Sequence, residues 1–139
     1  MTEHDEQVVV FRWAQMQEAV CPELRLLHAI PNGGKRDKAV AARLRDEGVK
    51  PGVPDICLPV PRWTYHALYI ELKRRAIKGV QNAGRQTDAQ KAWQAELSKH
   101  GYMACVCYGA EEAIREIERY VSLPISEISE IAFERFRGT

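Results

Sequence analysis

Apolar residues near the N-terminus recur at helical spacing. From about His4 to Val20, Glu6, Val10, Trp13 and Gln17 fall three and four apart and share a face, and Pro22 ends the predicted helix. Leu24 to Ile30 is a short apolar run that predicts a strand, and Pro31-Asn32-Gly33-Gly34 predicts a turn, since Gly and Asn accept positive φ. Lys35 to Glu47 predicts a second helix, with Ala39, Val40, Ala42 and Leu44 set among Lys35, Arg36, Lys38, Arg43 and Arg45, and Gly48 as its stop. A rigid connector, Val49-Lys50-Pro51-Gly52-Val53-Pro54, leads through Asp55 into a strand from Ile56 to Val60. After a turn at Pro61-Arg62-Trp63-Thr64, Tyr65 to Lys73 alternates cleanly: Leu68, Ile70 and Leu72 on one face, Tyr69, Glu71 and Lys73 on the other.

Arg74 to Gln86 predicts an exposed basic loop loosened by Gly79 and Gly84. Thr87-Asp88-Ala89-Gln90 matches a capping box that starts a helix running through Trp93 and Leu97 to His100, where Gly101 stops it. Tyr102 to Tyr108 alternates as a strand. Ala110 to Val121 predicts an amphipathic helix with Ala113, Ile114, Ile117 and Val121 inward. Beyond Ser122-Leu123-Pro124, a final amphipathic segment from Ile125 to Phe136 carries Ile128, Ile131, Ala132 and Phe136 on one side, either against its own domain or against another subunit. The order helix, strand, basic helix, hairpin, helix, strand, helix, helix implies an α/β sandwich with a mixed central sheet.

Composition narrows the class. With 139 residues the chain is large enough for one core but not for two. No apolar run approaches the roughly 20 residues that span a membrane, and the acidic start Met1-Thr2-Glu3-His4-Asp5-Glu6 is the opposite of a signal peptide's basic one, so a cytoplasmic protein is expected. The four cysteines lack zinc-site spacing and are expected as reduced thiols in or near the core. Net charge is only +1, yet residues 24–91 hold 14 Lys and Arg against 6 Asp and Glu, an asymmetry that suits a polyanion.

That basic stretch contains the candidate chemistry. If the two central strands pair as a hairpin, Asp55 lies beside Glu71, and Lys73 shares the Glu71 face. Adjacent carboxylates repel unless a cation joins them, and such oxygen ligands suit Mg²⁺ or Mn²⁺, with the backbone carbonyl of Leu72 as a further ligand. In phosphodiester hydrolysis the metal polarises the phosphate and activates water, and Lys73 orients that water and offsets developing charge. Other residues stay open between two readings. Glu6 is either a first-turn acid favoured by the helix dipole or a third carboxylate aimed at the metal. The Lys35–Glu47 helix and the Arg74–Gln86 loop are either solvated or in contact with nucleic acid. Gln90 is explained by capping alone.

Asn32-Gly33-Gly34, Gly52-Val53-Pro54-Asp55, Glu71-Leu72-Lys73, and Gln90 followed by Trp93, with Gly101-Tyr102 leading into a strand, together resemble the VRR-NUC branch of the PD-(D/E)XK nucleases. The resemblance implies a restriction-endonuclease-like αβββαβ core over residues 1–123 with a helical extension over 124–139. It implies a catalytic set of Asp55, Glu71, Lys73, Gln90 and Glu6, with Asp55, Glu71, the Leu72 carbonyl and Glu6 (directly or through water) at Mg²⁺ or Mn²⁺. The residues that would meet DNA are Asn32, Gly33, Gly34, Lys35, Arg36, Lys38, Arg74, Arg75, Lys78 and Arg85. The chain is similar to small stand-alone phage members, which implies a homodimer acting on branched DNA such as Holliday junctions or flaps. A restriction-type or general repair nuclease, and a DNA-binding module without catalysis, are the alternatives. The long Arg74–Gln86 segment departs from the pattern.

Overall fold

The computed structural model describes residues 1–31 and 37–138. Its elements are α1 (Glu3–Gln17), β1 (His28–Ala29), α2 (Lys38–Asp46), β2 (Ile56–Leu58), β3 (Leu68–Lys73), α3 (Asp88–Lys99), β4 (Met103–Tyr108), α4 (Ala110–Val121) and α5 (Ile128–Arg137). The four strands form one sheet in the order β1-β2-β3-β4. β1/β2 and β2/β3 are antiparallel and β3/β4 is parallel, which requires the crossover through α3. This is the mixed α/β sheet flanked by helices that the sequence predicts.

The alternation in β3 divides the molecule. Leu68, Ile70 and Leu72, with Ile56 and Leu58 beside them, face α1 and α4 and make the core with Val10, Ala14, Ala113, Ile117 and Tyr120. Tyr120 is missing from the inward residues predicted for α4, yet it is fully buried, and its hydroxyl donates to the Val60 carbonyl at 2.6 Å. That bond explains how a phenol sits in an apolar core. The other face of β3 carries Tyr69 and Glu71 toward α3, where the Gln94 side chain donates to the Ala104 carbonyl of β4 at 3.2 Å.

Four predicted boundaries shift for identifiable reasons. α1 stops at Gln17 because both Val20 and Cys21 donate to the Gln17 carbonyl, which closes the chain in a tight turn before Pro22. The predicted Leu24–Ile30 strand shrinks to His28–Ala29, because Pro22–Leu26 winds into a 3₁₀ turn. Leu24 and Leu27, three residues apart, both point inward, as that winding demands. β2 ends at Leu58, before Pro59, which has no N–H for a ladder. The basic helix starts at Lys38, because the Asp37 side chain accepts from Val40 N at 2.8 Å and caps it. Neither α2 nor α5 contains a buried residue. On α5, Ile128, Ile131, Phe133 and Phe136 are exposed. Among the described residues no helix is long and apolar enough to cross a membrane.

Candidate active site

The hairpin places Asp55 where the sequence expects it. The last paired residues are Ile56 opposite Ile70, so Asp55 comes next along β2, as Glu71 does along β3. The Asp55 main-chain carbonyl accepts from Ile30 N at 2.7 Å, and its Oδ2 accepts from Leu72 N at 2.8 Å. The aspartate thus joins β1 to β3 at the point where β2 ends. N–H and C=O of one strand residue point to the same edge, so the Leu72 carbonyl is also directed to the Asp55 side.

Glu71 and Lys73 are 4% and 6% exposed, unusual burial for two charged residues. Glu71 Oε1 accepts from Gln90 Nε2 at 2.9 Å and lies 3.6 Å from Lys73 Nζ. Glu71 Oε2 is buried and lacks a hydrogen-bond partner among the described residues. Burial, and then the neighbouring Asp55 carboxylate, push the Glu71 carboxyl up to about 8. Lys73 Nζ is also 4.0 Å from Glu3 Oε1, an acid that the predicted catalytic set lacks and that no motif marks.

Gln90 makes the predicted cap and also contacts Glu71. Its Oε1 accepts from Thr87 N at 2.8 Å, completing the capping box, while its Nε2 holds Glu71. The approach of α3 depends on Gly52. At φ +91°, a Cβ on Gly52 would lie 2.5 Å from the Ala89 carbonyl carbon and oxygen. Only glycine lets the first turn of α3 press against the connector into Asp55.

Glu6 is only 1% exposed, so it is not a frayed surface acid. Its Oε2 accepts from Ala110 N at 2.7 Å and its Oε1 lies 3.7 Å from Arg75 Nε. It thereby caps α4, whose own N-cap residue, Gly109, has no side chain to do so. At Gly109 (φ +93°) a Cβ would meet Glu6 Oε2 at 2.5 Å.

The other predicted DNA contacts divide. Asn32, Gly33, Gly34, Lys35 and Arg36 lie outside the described residues. Lys38, Arg74, Arg75, Lys78 and Arg85 are exposed. The segment that carries four of them is more structured than a loosened loop: Ile77 and Gln81 form a bridge, and Gln81 Nε2 donates to the carbonyls of Arg75 (2.7 Å) and Met1 (3.3 Å).

Among the described residues, no three His, Cys, Asp or Glu side chains gather closely enough to hold a metal ion. Asp55 and Glu71 therefore supply two carboxylates without a third protein acid in direct reach. A hard divalent cation fits this arrangement, because Mg²⁺ commonly takes one or two carboxylates and leaves its other positions to water and phosphate. The buried oxygen without a partner on Glu71 is the atom that such a cation would satisfy.

An antiparallel hairpin and a parallel crossover, with an acid–acid–lysine group at the sheet's end, define a mixed α/β fold. The family model for the VRR-NUC domain matches residues 1–111, and the chain belongs to that family. A solved structure described as a VRR_NUC domain protein is 32% identical, covers 90% of this chain and 92% of its own, and superposes with a TM-score of 0.74. No curated protein matches the chain. The family implies a nuclease-type function.

Proposed function

We propose that the protein is a Mg²⁺- or Mn²⁺-dependent endonuclease that hydrolyses phosphodiester bonds in DNA, with branched DNA as its preferred substrate. The observation that carries this reading is the buried Glu71 Oε2 without a hydrogen-bond partner among the described residues, on an acid beside Asp55 whose other oxygen faces Lys73. A bound divalent cation supplies a Lewis acid for the scissile phosphate and a water of lowered pKa. Asp55 and Glu71 would hold it through their carboxylates, and the Leu72 carbonyl is turned the same way. Gln90 fixes the Glu71 carboxylate, so the acid does not have to reorganise during the reaction. The Lys73 ammonium, already facing Glu71, holds the attacking water and offsets negative charge on the phosphate. Arg74 and Arg75 follow directly in the chain and engage neighbouring phosphates with Lys78 and Arg85. Glu6 acts on this site as a positioning residue: it fixes the α4 terminus and pairs with Arg75.

A four-way junction is resolved by two symmetric nicks, which a C₂ dimer delivers. The exposed apolar residues of α5 support a dimer as part of this reading. Four-way junction, flap, linear duplex and single-stranded DNA, each incubated with Mg²⁺ and with EDTA, provide the test. Cleavage should require the metal and favour branched DNA, and Asp55→Asn should abolish cutting while binding persists. Cleavage that survives EDTA or Asp55→Asn would overturn the mechanism, and equal cutting of all four DNAs would overturn the preference.

A further inference from the structure

Trp93 and Tyr102 belong to no part of the chemistry above, and neither is packed against the central core. Both line an open cavity of about 590 Å³ with His66, Glu96, Leu97 and His100. Gln90, Trp93 and Leu97 are spaced three and four apart and run down one face of α3, and His100 follows as its C-cap. The first of them holds Glu71 and the other three line the cavity. On the sheet side, the His66 and Tyr102 rings lie 5.4 Å apart edge to face, and Tyr102 meets Tyr69 in the same way at 5.6 Å. Tyr69 shares its strand face with Glu71. An aromatic row therefore leads from the cavity toward the acid, over a strand length of about 16 Å, a few nucleotides' reach.

The local backbone is adapted to this row. Gly101 sits at φ +88°, and a Cβ there would lie 2.9 Å from the His66 ring, so glycine allows the imidazole to lie against the main chain. The lining contains no Lys or Arg, and Glu96 stands at the rim 3.7 Å from His100. A phosphate would be repelled there. A flat, largely apolar group with an amino edge would be stacked by the rings and could donate to Glu96, as exocyclic base amines donate to acidic side chains.

We propose that this cavity receives one unpaired nucleobase of the DNA substrate, stacked against Trp93 and Tyr102, a few nucleotides from the bond that is cut. The inference rests on the DNA-cleaving reading and gives that site a way to recognise unpaired DNA. Duplexes carrying a single unpaired 2-aminopurine at successive positions on either side of the cut bond test it, with the protein held in EDTA so that binding proceeds without cleavage. At one position the fluorescence should be strongly quenched. Trp93→Ala, confirmed as folded by circular dichroism, should remove the quench and weaken binding of that DNA about 5- to 100-fold, with fully paired duplex bound as before. Trp93→Phe should retain most of both effects. His100→Ala removes a lining side chain that is exposed, so it provides a second variant if Trp93→Ala does not fold, and it should reduce the quench. Uniform fluorescence at every position would overturn the proposal, as would a Trp93→Ala loss that is equal for paired and unpaired DNA. Cleavage in Mg²⁺ is read separately: cutting without a quench removes the pocket alone, and a quench without cutting removes the nuclease reading and leaves the pocket.

Discussion

Two glutamates are withdrawn from solvent in this protein, and they are treated in opposite ways. At the junction of α1 and α4, Glu6 has both oxygens engaged, one by the Ala110 N–H and one by Arg75. At the end of the sheet, Glu71 has one oxygen held by Gln90 and Lys73, and the other without a hydrogen-bond partner among the described residues. Both acids carry the desolvation cost of a buried carboxylate. The first uses its contacts to tie two helices together. The second leaves an unmet demand that a cation can fill, and an unmet demand in an otherwise satisfied interior marks a site of function more than burial does.

The sharpest way to break this contrast is at the open carboxylate. Glu71→Ala should lower the rate of DNA cleavage by at least about 100-fold, measured with the variant at saturating Mg²⁺, and because it leaves the buried Lys73 ammonium without this partner it should also lower stability in urea unfolding. Glu6→Ala should act on stability. It strands the Ala110 N–H, while the exposed Arg75 is left to solvent, and is expected to lower unfolding stability by about 1–3 kcal/mol; no loss would mean that its contacts are incidental. Gly52→Ala should move both quantities. It forces a positive φ on alanine and drives Cβ into Ala89, so it should cost about 1–3 kcal/mol and also reduce turnover by displacing Gln90 from Glu71.

A subtler test uses pH. Burial and Asp55 raise Glu71 from 4.5 to about 8, so between those values the metal-free folded protein holds a proton that the unfolded chain has released. The stabilising contribution is complete below about 4.5 and is lost as pH rises through about 8. The Tm in EDTA should therefore fall across this window, and Glu71→Gln should flatten the fall. Mg²⁺ needs the ionised acid, so it should raise Tm more at pH 8.5 than at pH 6. The smallest effect is expected where charge is exposed: removing the Glu111–Arg115 pair on α4 with Glu111→Gln should change stability by no more than about 0.5 kcal/mol.

The sequence reveals the open acid more readily than the closed one. Glu71 and Lys73 sit in a strictly alternating strand whose neighbours fix their face, and Thr87 and Gln90 announce the helix that reaches them. These are local signals, and local periodicity survives in the chain. Glu6 is different: its partner Ala110 is 104 residues away, and no short-range pattern encodes that distance. Gly52 is visible as a motif residue, but its reason, the backbone of Ala89 at van der Waals range, appears only in the fold. The run from Leu24 to Ile30 reads as a strand and is mostly not one, for another reason. A short apolar stretch satisfies a strand and a 3₁₀ turn equally well, and Pro22 decided it.

Gln90 has one further consequence. Its side chain both begins α3 and restrains Glu71, so the integrity of a helix end and the aim of an acid are one equilibrium. Helix ends open well below the temperature at which a whole domain melts. Warming should therefore switch the chemistry off by local fraying while the sheet is still intact, giving a thermal ceiling on turnover below Tm. Slowing of amide exchange at the first turn of α3 on cooling should track recovered activity.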